Sequence, residues 1–119
     1  MKPFVFLLFI TLSFTLSCKT ASDLNKKVDF TCKGDSPFWT AIIAKDGIVF
    51  TQLGGAEKTF PYVQPEESGG RTVYVSKKGD TWLRISLTKG NCFNSAAGKQ
   101  YPYKVELALG DVVYQGCGE

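Results

Sequence analysis

The sequence predicts an all-β domain, a small antiparallel β-barrel or sandwich of about seven to eight strands. Three observations carry this. Turn residues recur at short spacing from residue 28 onward. The runs between them alternate apolar and polar residues with period two, the mark of strands with one buried face. No stretch sustains the periodicity of an amphipathic helix.

Val28–Lys33 reads as the first strand, closed by Gly34-Asp35-Ser36-Pro37. Phe38–Lys45 is the second, and Asp46-Gly47 behind it is the strongest short hairpin signal in the chain. Within it, Ala41-Ile42-Ile43-Ala44 is too short for a stable helix and is half β-branched. Ile48–Leu53 returns from the hairpin, Gly54-Gly55 breaks the run, and Lys58–Tyr62 is a short edge strand in which Pro61 withholds a ladder donor. Gln64–Gly70 reads as a surface loop. Arg71–Lys77 and Thr81–Thr88 make a hairpin around Lys78-Gly79-Asp80, with Leu83, Ile85 and Leu87 inward and Arg84 and Ser86 outward. Gly90–Gln100 reads as a long loop holding Cys92. Tyr101–Leu109 and Val112–Cys117 form the last hairpin around Gly110-Asp111, and Tyr101, Tyr103, Val105, Leu107 and Leu109 share its apolar face. The pattern does not separate barrel from sandwich. A barrel has the advantage of leaving no exposed strand edge.

A chain of 119 residues holds one such domain. Hydrophobic residues at 44% and charged residues at 21% are ordinary for a folded chain, and 9 Phe, 5 Tyr and 2 Trp supply bulk for its core. Histidine is absent, which removes Ser-His-Asp and Cys-His catalysis, His-ligated zinc and a histidine pH switch. Glu66-Glu67 are adjacent in a Gly/Ser loop and face different ways, so they make no acid/base pair. Ser95-Ala96-Ala97-Gly98-Lys99 is one residue too long for an S-x-x-K nucleophile motif. A net charge of +3 without stacking motifs argues against nucleic acid. The expectation is a protein that is not an enzyme and needs no cofactor or metal.

The N-terminus carries an address. Lys2 precedes an apolar run, Phe4–Leu16, that is too short for a comfortable transmembrane helix and fits the core of a secretory signal peptide over residues 1–17. It ends at Ser17-Cys18, which resembles the bacterial lipoprotein signal. In that signal the cysteine thiol receives a diacylglycerol and becomes the new N-terminus. The usual pattern has Leu three residues before the cysteine and a small residue two before it; here Thr15 and Leu16 stand in reversed order. The competing cleavage site is Thr20-Ala21-Ser22. The resemblance implies a lipid at Cys18, with palmitate-type acyl chains that hold the protein stably on a membrane. Residues 18–27 would then be a polar tether and residues 28–119 a single β domain in the bacterial cell envelope, facing periplasm or exterior.

With Cys18 taken, Cys32, Cys92 and Cys117 remain, and in an exported protein two of them should pair. Cys92–Cys117 is the first expectation, since it pins the loop before the final hairpin to that hairpin's end. Cys32–Cys117 is the second. A closed loop of this length contributes roughly 3–4 kcal/mol in the chain-entropy model. The left-over thiol, Cys32 on the first pairing, reads as a buried apolar side chain, with a reactive thiol as the sharper alternative. The three thiols have no C-x-x-C spacing for zinc.

Phe30-Thr31-Cys32-Lys33-Gly34-Asp35-Ser36-Pro37-Phe38-Trp39 has the form F-x-C-x-G-x-x-P-F-W, and Cys92, Tyr101-Pro102-Tyr103 and Gly116-Cys117 follow much later. This combination resembles an uncharacterised family of bacterial envelope proteins and lipoproteins that carries an early G-x-E-P-F-W-type motif and a late C…Y-P-Y…G-C motif. Ser36 stands where that family often has an acidic residue. The resemblance implies a fold, not a mechanism. From the residues themselves, Phe38 and Trp39 point to opposite faces of a strand, and Trp39 is a candidate aromatic wall for a ligand. Tyr101 and Tyr103 read as core. Ser95 and Lys99 are candidate binding residues, because Ser95–Tyr101 is similar to the Ser/Gly-rich, Lys- and Tyr-containing loop of small lipid-anchored lysozyme inhibitors. The functional expectation is a membrane-anchored, non-enzymatic binding module with an envelope protein as partner. A lysozyme-inhibitor-like protein and a carrier of small apolar ligands in the barrel interior are the alternatives.

Overall fold

The computed structural model describes residues 28–35 and 37–119. The expected signal peptide and tether, residues 1–27 with Cys18 among them, and Ser36 lie outside the described residues. The described chain forms nine strands: β1 (Val28–Asp35), β2 (Phe38–Ala44), β3 (Gly47–Gln52), β4 (Lys58–Phe60), β5 (Glu66–Ser68), β6 (Arg71–Lys78), β7 (Thr81–Asn94), β8 (Lys99–Leu109) and β9 (Val112–Gly118). All pair antiparallel in one sheet of order β4-β3-β2-β1-β9-β8-β7-β6-β5. The first and last strands meet at its centre. Cys32 lies opposite Gly118 and Lys33 opposite Cys117, and Thr31 and Glu119 exchange backbone hydrogen bonds of 2.8 and 3.0 Å.

The sheet curls, and its two ends approach without forming a ladder. Ser76 Oγ donates to Pro61 O at 2.6 Å, and the Tyr62 and Tyr74 rings lie 6.2 Å apart. The class is therefore the expected one, a barrel-like all-β fold, built as one curled sheet that stays open along the β4–β6 seam. The concave face carries the core. Ile43, Ile48, Phe50, Leu83, Ile85 and Leu107 are buried there beside Cys32, Trp39 and Tyr74. Period-two alternation puts these residues on one face, and burying each large side chain contributes about 1.5–3 kcal/mol. The turns sit where the sequence places them. Gly79 and Gly110, with φ of 60° and 58°, supply the left-handed conformation that two tight hairpin turns require.

Three expectations change. Gln64–Gly70 is not all loop, because Glu66–Ser68 pairs with Arg71–Val73 as the short β5. Ser86 does point away from the core, but it is buried, and Arg71 Nη2 reaches its Oγ at 3.4 Å. Gly90–Gln100 is mostly strand: β7 runs on to Asn94 and β8 starts at Lys99, so only residues 95–98 turn. The composition there is that of a loop, but pairing across the hairpin overrides local propensity.

One bulge organises the far rim. Val28 lies opposite Ala44 and Phe30 opposite Ile43, so Asp29 is an extra residue in β1. Its carboxylate accepts hydrogen bonds from Tyr62 (2.7 Å) and Tyr74 (3.1 Å) and lies 3.5 Å from the Lys45 ammonium. Lys45 Nζ also donates to the Tyr62 hydroxyl at 2.7 Å. This cluster ties β1, the β2–β3 turn and the segment after β4 to β6, and it helps to hold the open seam together.

Candidate functional site

The site begins with a second backbone irregularity. β7 and β8 pair regularly from Leu83–Leu109 to Lys89–Tyr103, and resume at Cys92–Tyr101. β7 therefore carries one extra residue at Gly90-Asn91, and a bulge of this kind bends a strand and increases its twist. β8 has also lost its other neighbour there, since Tyr103–Gly118 is its last pair with β9. The end of the hairpin is a free two-stranded ribbon with a bend at its root.

Its contacts show where the bend sends it. Cys92 is disulfide-bonded to Cys117, with the Cα atoms 5.5 Å apart. Asn94 Nδ2 donates to Lys33 O at 3.4 Å, and Ser95 Oγ donates to the Asp35 carboxylate. Lys33 is exposed between the buried Cys32 and Gly34, so its side chain lies on the outer face of β1. Cys117, opposite Lys33, shares that face. The ribbon therefore folds back across the outside of β9 and β1, and this cover is what buries Cys117. The same geometry rules out the Cys32–Cys117 pairing, because Cys32 faces the core. Cys32 is the free cysteine, and burial pushes its thiol up to about 12, so it is not a nucleophile at neutral pH.

Trp39 supplies the floor. It sits on β2 opposite Gly34 and Gln52, is 2% exposed, and its Nε1 donates to Gln115 O at 3.3 Å. The indole lies flat against two glycines. A Cβ on Gly34 would fall inside the ring, and one on Gly116 would crowd both the ring and Lys33 O. Glycine is thus required at both positions by close approach. Phe50 and Tyr114 close the inner side of the indole, at 6.1 and 6.2 Å between ring centres.

Between the folded-back tip and the outer surface of β1–β3 lies an open cleft of about 520 Å³. Asn94, Ala96 and Ala97 form its wall; Lys33, Thr40 and Thr51 lie along one side; Phe38 and Leu53 stand at its end, with Trp39 beneath. Phe38 and Leu53 are 50% and 78% exposed, so apolar surface is held open to solvent here. The concave face, by contrast, carries the buried core side chains.

Of the candidate residues, Trp39 lines the cleft. Ser95 belongs to its wall segment, but its hydroxyl is engaged by Asp35, whose carboxyl that bond holds below the ordinary range. Lys99 does not join them. Its ammonium pairs with Glu119 at 3.1 Å and lies 5.0 Å from the centre of the Tyr101 ring. Tyr101 is buried under it, outside the main core, and Tyr103 packs edge-on against Phe30 at 5.2 Å. Lys33, Thr40, Thr51, Leu53, Asn94 and Ala97 were not legible as site residues. The Cys92–Cys117 pairing was the one signal that brings the tip near β1. Among the described residues, no group of three or more His, Cys, Asp or Glu side chains is placed to hold a metal ion.

No family model matches the chain, and no curated protein or solved structure is significantly similar to it.

Proposed function

We propose that this chain is an exported bacterial envelope protein, anchored through an acylated Cys18, whose β domain is a non-enzymatic binding module with the cleft beneath the strapped hairpin as its site. The observation that carries the reading is the cleft itself. It is ligand-sized, within the range of roughly 300–1,000 Å³ typical of small-molecule sites, and it is apolar with a few polar groups. Its walls are fixed by a disulfide and by hydrogen bonds to backbone rather than by mobile loops. Its lining offers one ammonium, two hydroxyls and an amide, a set suited to holding a molecule and without a nucleophile–base pair. The disulfide suits an oxidising compartment, and the apolar run ending at Ser17-Cys18 supports export with a lipid.

The test is the intact mass of the protein extracted from bacterial membranes, with and without reductant and alkylation. The expected species starts at Cys18, carries acyl chains, and contains one disulfide and one free thiol. A mass starting near Asp23, or an uncleaved chain with every thiol free, would overturn the anchored reading.

A further inference from the structure

We propose that the cleft takes a single-chain anionic amphiphile, a long-chain fatty acid, with its hydrocarbon on Phe38, Leu53 and Ala97 above the buried Trp39 and its carboxylate at Lys33. This rests on reading the cleft as the module's binding site and adds the ligand class.

Three observations lead there. The first is the character of the lining. It is dominated by carbon, and its Asn94 amide is already spent, because Nδ2 donates to Lys33 O and Oδ1 accepts from Ala97 N at 3.0 Å. What remains for a ligand is one ammonium and two threonine hydroxyls.

The second is the place of the strands under the cleft. β2 lies between β1 and β3 and β3 between β2 and β4, so neither offers a free edge, and β1 offers one only at its short Gly34–Asp35 end, past its last pair with β9. An extended peptide in the cleft would find little ladder for its own N–H and C=O groups, and each polar group buried without a partner costs about 1–3 kcal/mol. A hydrocarbon chain carries no such groups.

The third is charge. Lys33 makes no ion pair among the described residues. Lys33 is the one ionisable side chain among the described residues of the cleft's lining. Glu119 is neutralised by Lys99, and the Asp35 carboxylate, which keeps its charge while it accepts from Ser95, is not part of the lining. The charge inside the cleft is therefore positive, and an anionic head group complements it.

The test uses the mature chain, residues 18–119, carrying Cys18→Ser, which lacks both the apolar leader and the acyl acceptor so that no detergent is needed, and Trp82→Phe, which leaves Trp39 as the one tryptophan. Hexadecanoate below its micellar concentration is titrated and Trp39 emission is followed. A saturable 1:1 shift is expected, with hexadecanol bound about three- to five-fold more weakly and hexadecyltrimethylammonium more weakly still. Lys33→Gln should erase the preference for acid over alcohol. Ala97→Phe and Leu53→Asp, both at exposed positions where the fold tolerates change, should each weaken binding about ten-fold or more. Equal affinity for acid and alcohol with no effect of Lys33→Gln, binding that survives both cleft variants, or no emission shift would each overturn the proposal. A photocrosslinking residue at position 53, used in intact cells, separates its failure from that of the module reading. A single protein crosslink that Ala97→Phe abolishes, without fatty-acid binding, removes the fatty acid and keeps the module. Neither crosslink nor fatty-acid binding removes both.

Discussion

Cutting the Cys92–Cys117 strap should release the hairpin tip before it unfolds the domain. The disulfide closes a sequence separation of 25 residues, for which the chain-entropy relation gives about 3.5 kcal/mol of stabilisation. Without it the tip is held by one long hydrogen bond to Lys33 O, by the exposed Ser95–Asp35 contact and by the exposed Lys99–Glu119 pair. Exposed ion pairs of this kind are worth about 0–1 kcal/mol each. The core residues on β7 and β8, from Leu83 to Leu87 and from Val105 to Leu109, lie on the other side of the bulge. The Cys92→Ser/Cys117→Ser double variant should therefore lose about 2–4 kcal/mol in urea unfolding. Amide exchange should accelerate at residues 92–102 while the pairs from Leu83–Leu109 to Leu87–Val105 stay protected. Unchanged exchange at the tip, or equal loss of protection across both hairpin halves, would refute the account of a strapped flap on an independent core.

Three other outcomes follow from the same geometry. Gly34→Ala should displace the indole of Trp39, lower stability by about 1–3 kcal/mol as overpacking does, and red-shift tryptophan emission. An unshifted spectrum would show that Trp39 does not rest on that glycine. For Asp29, burial works against ionisation, but hydrogen bonds from Tyr62 and Tyr74 and the charge of Lys45 outweigh it and hold the carboxyl below its ordinary value. The unfolded chain then binds the proton more readily, so this stabilisation is present at neutral pH and is lost as pH falls below about 4 through the lowered native value. Asp29→Asn should flatten that part of the acid-unfolding profile and cost about 1–3 kcal/mol at pH 7, measured by denaturant titration at several pH values. Finally, Cys32 should resist alkylation in the native state and react only as fast as the domain unfolds. Rapid labelling of the folded protein would mean the thiol is not buried.

Much of the fold was legible because period-two alternation and turn glycines are local signals. Leu83, Ile85 and Leu87 announce their face without help, and Gly79 and Gly110 announce their turns. The pairing of Cys92 with Cys117 was legible because it joins two segments of the same hairpin system. The site was less so. Its wall depends on one extra residue at Gly90-Asn91, and a bulge is decided by pairing across a ladder, not by composition. That same composition made β7 and β8 look like loop from Gly90 to Gln100. Trp39 could be singled out as a large aromatic beside Pro37, but its partners Gly34 and Gly116 come from opposite ends of the domain. Lys99 lies outside the cleft's lining, and its pairing with Glu119, 20 residues on, was not legible because nothing local in the sequence joins the two.

The cleft has a structural cause in the way the two terminal strands part. β1 and β9 pair only around Thr31–Lys33 and Cys117–Glu119. Beyond that point the ladder stops, and backbone carbonyls that a continued ladder would satisfy need other donors, since an unpaired buried carbonyl is costly. Gln115 O receives the indole N–H of Trp39, and Lys33 O receives the amide of Asn94. The floor and the wall of the cleft are thus the same side chains that satisfy the split. Their positions are set by hydrogen bonding before any ligand arrives, which is the condition for a preformed site. This makes two neighbouring substitutions behave differently. Asn94→Ala removes a donor from Lys33 O and a cap from Ala97 N, so it should lower stability by about 1–2 kcal/mol and widen the cleft as well. Ala97→Phe touches only the cleft, so it should block binding with stability unchanged within about 0.5 kcal/mol. If both variants changed binding and stability in parallel, the cleft would be a by-product of packing rather than a surface the fold holds open.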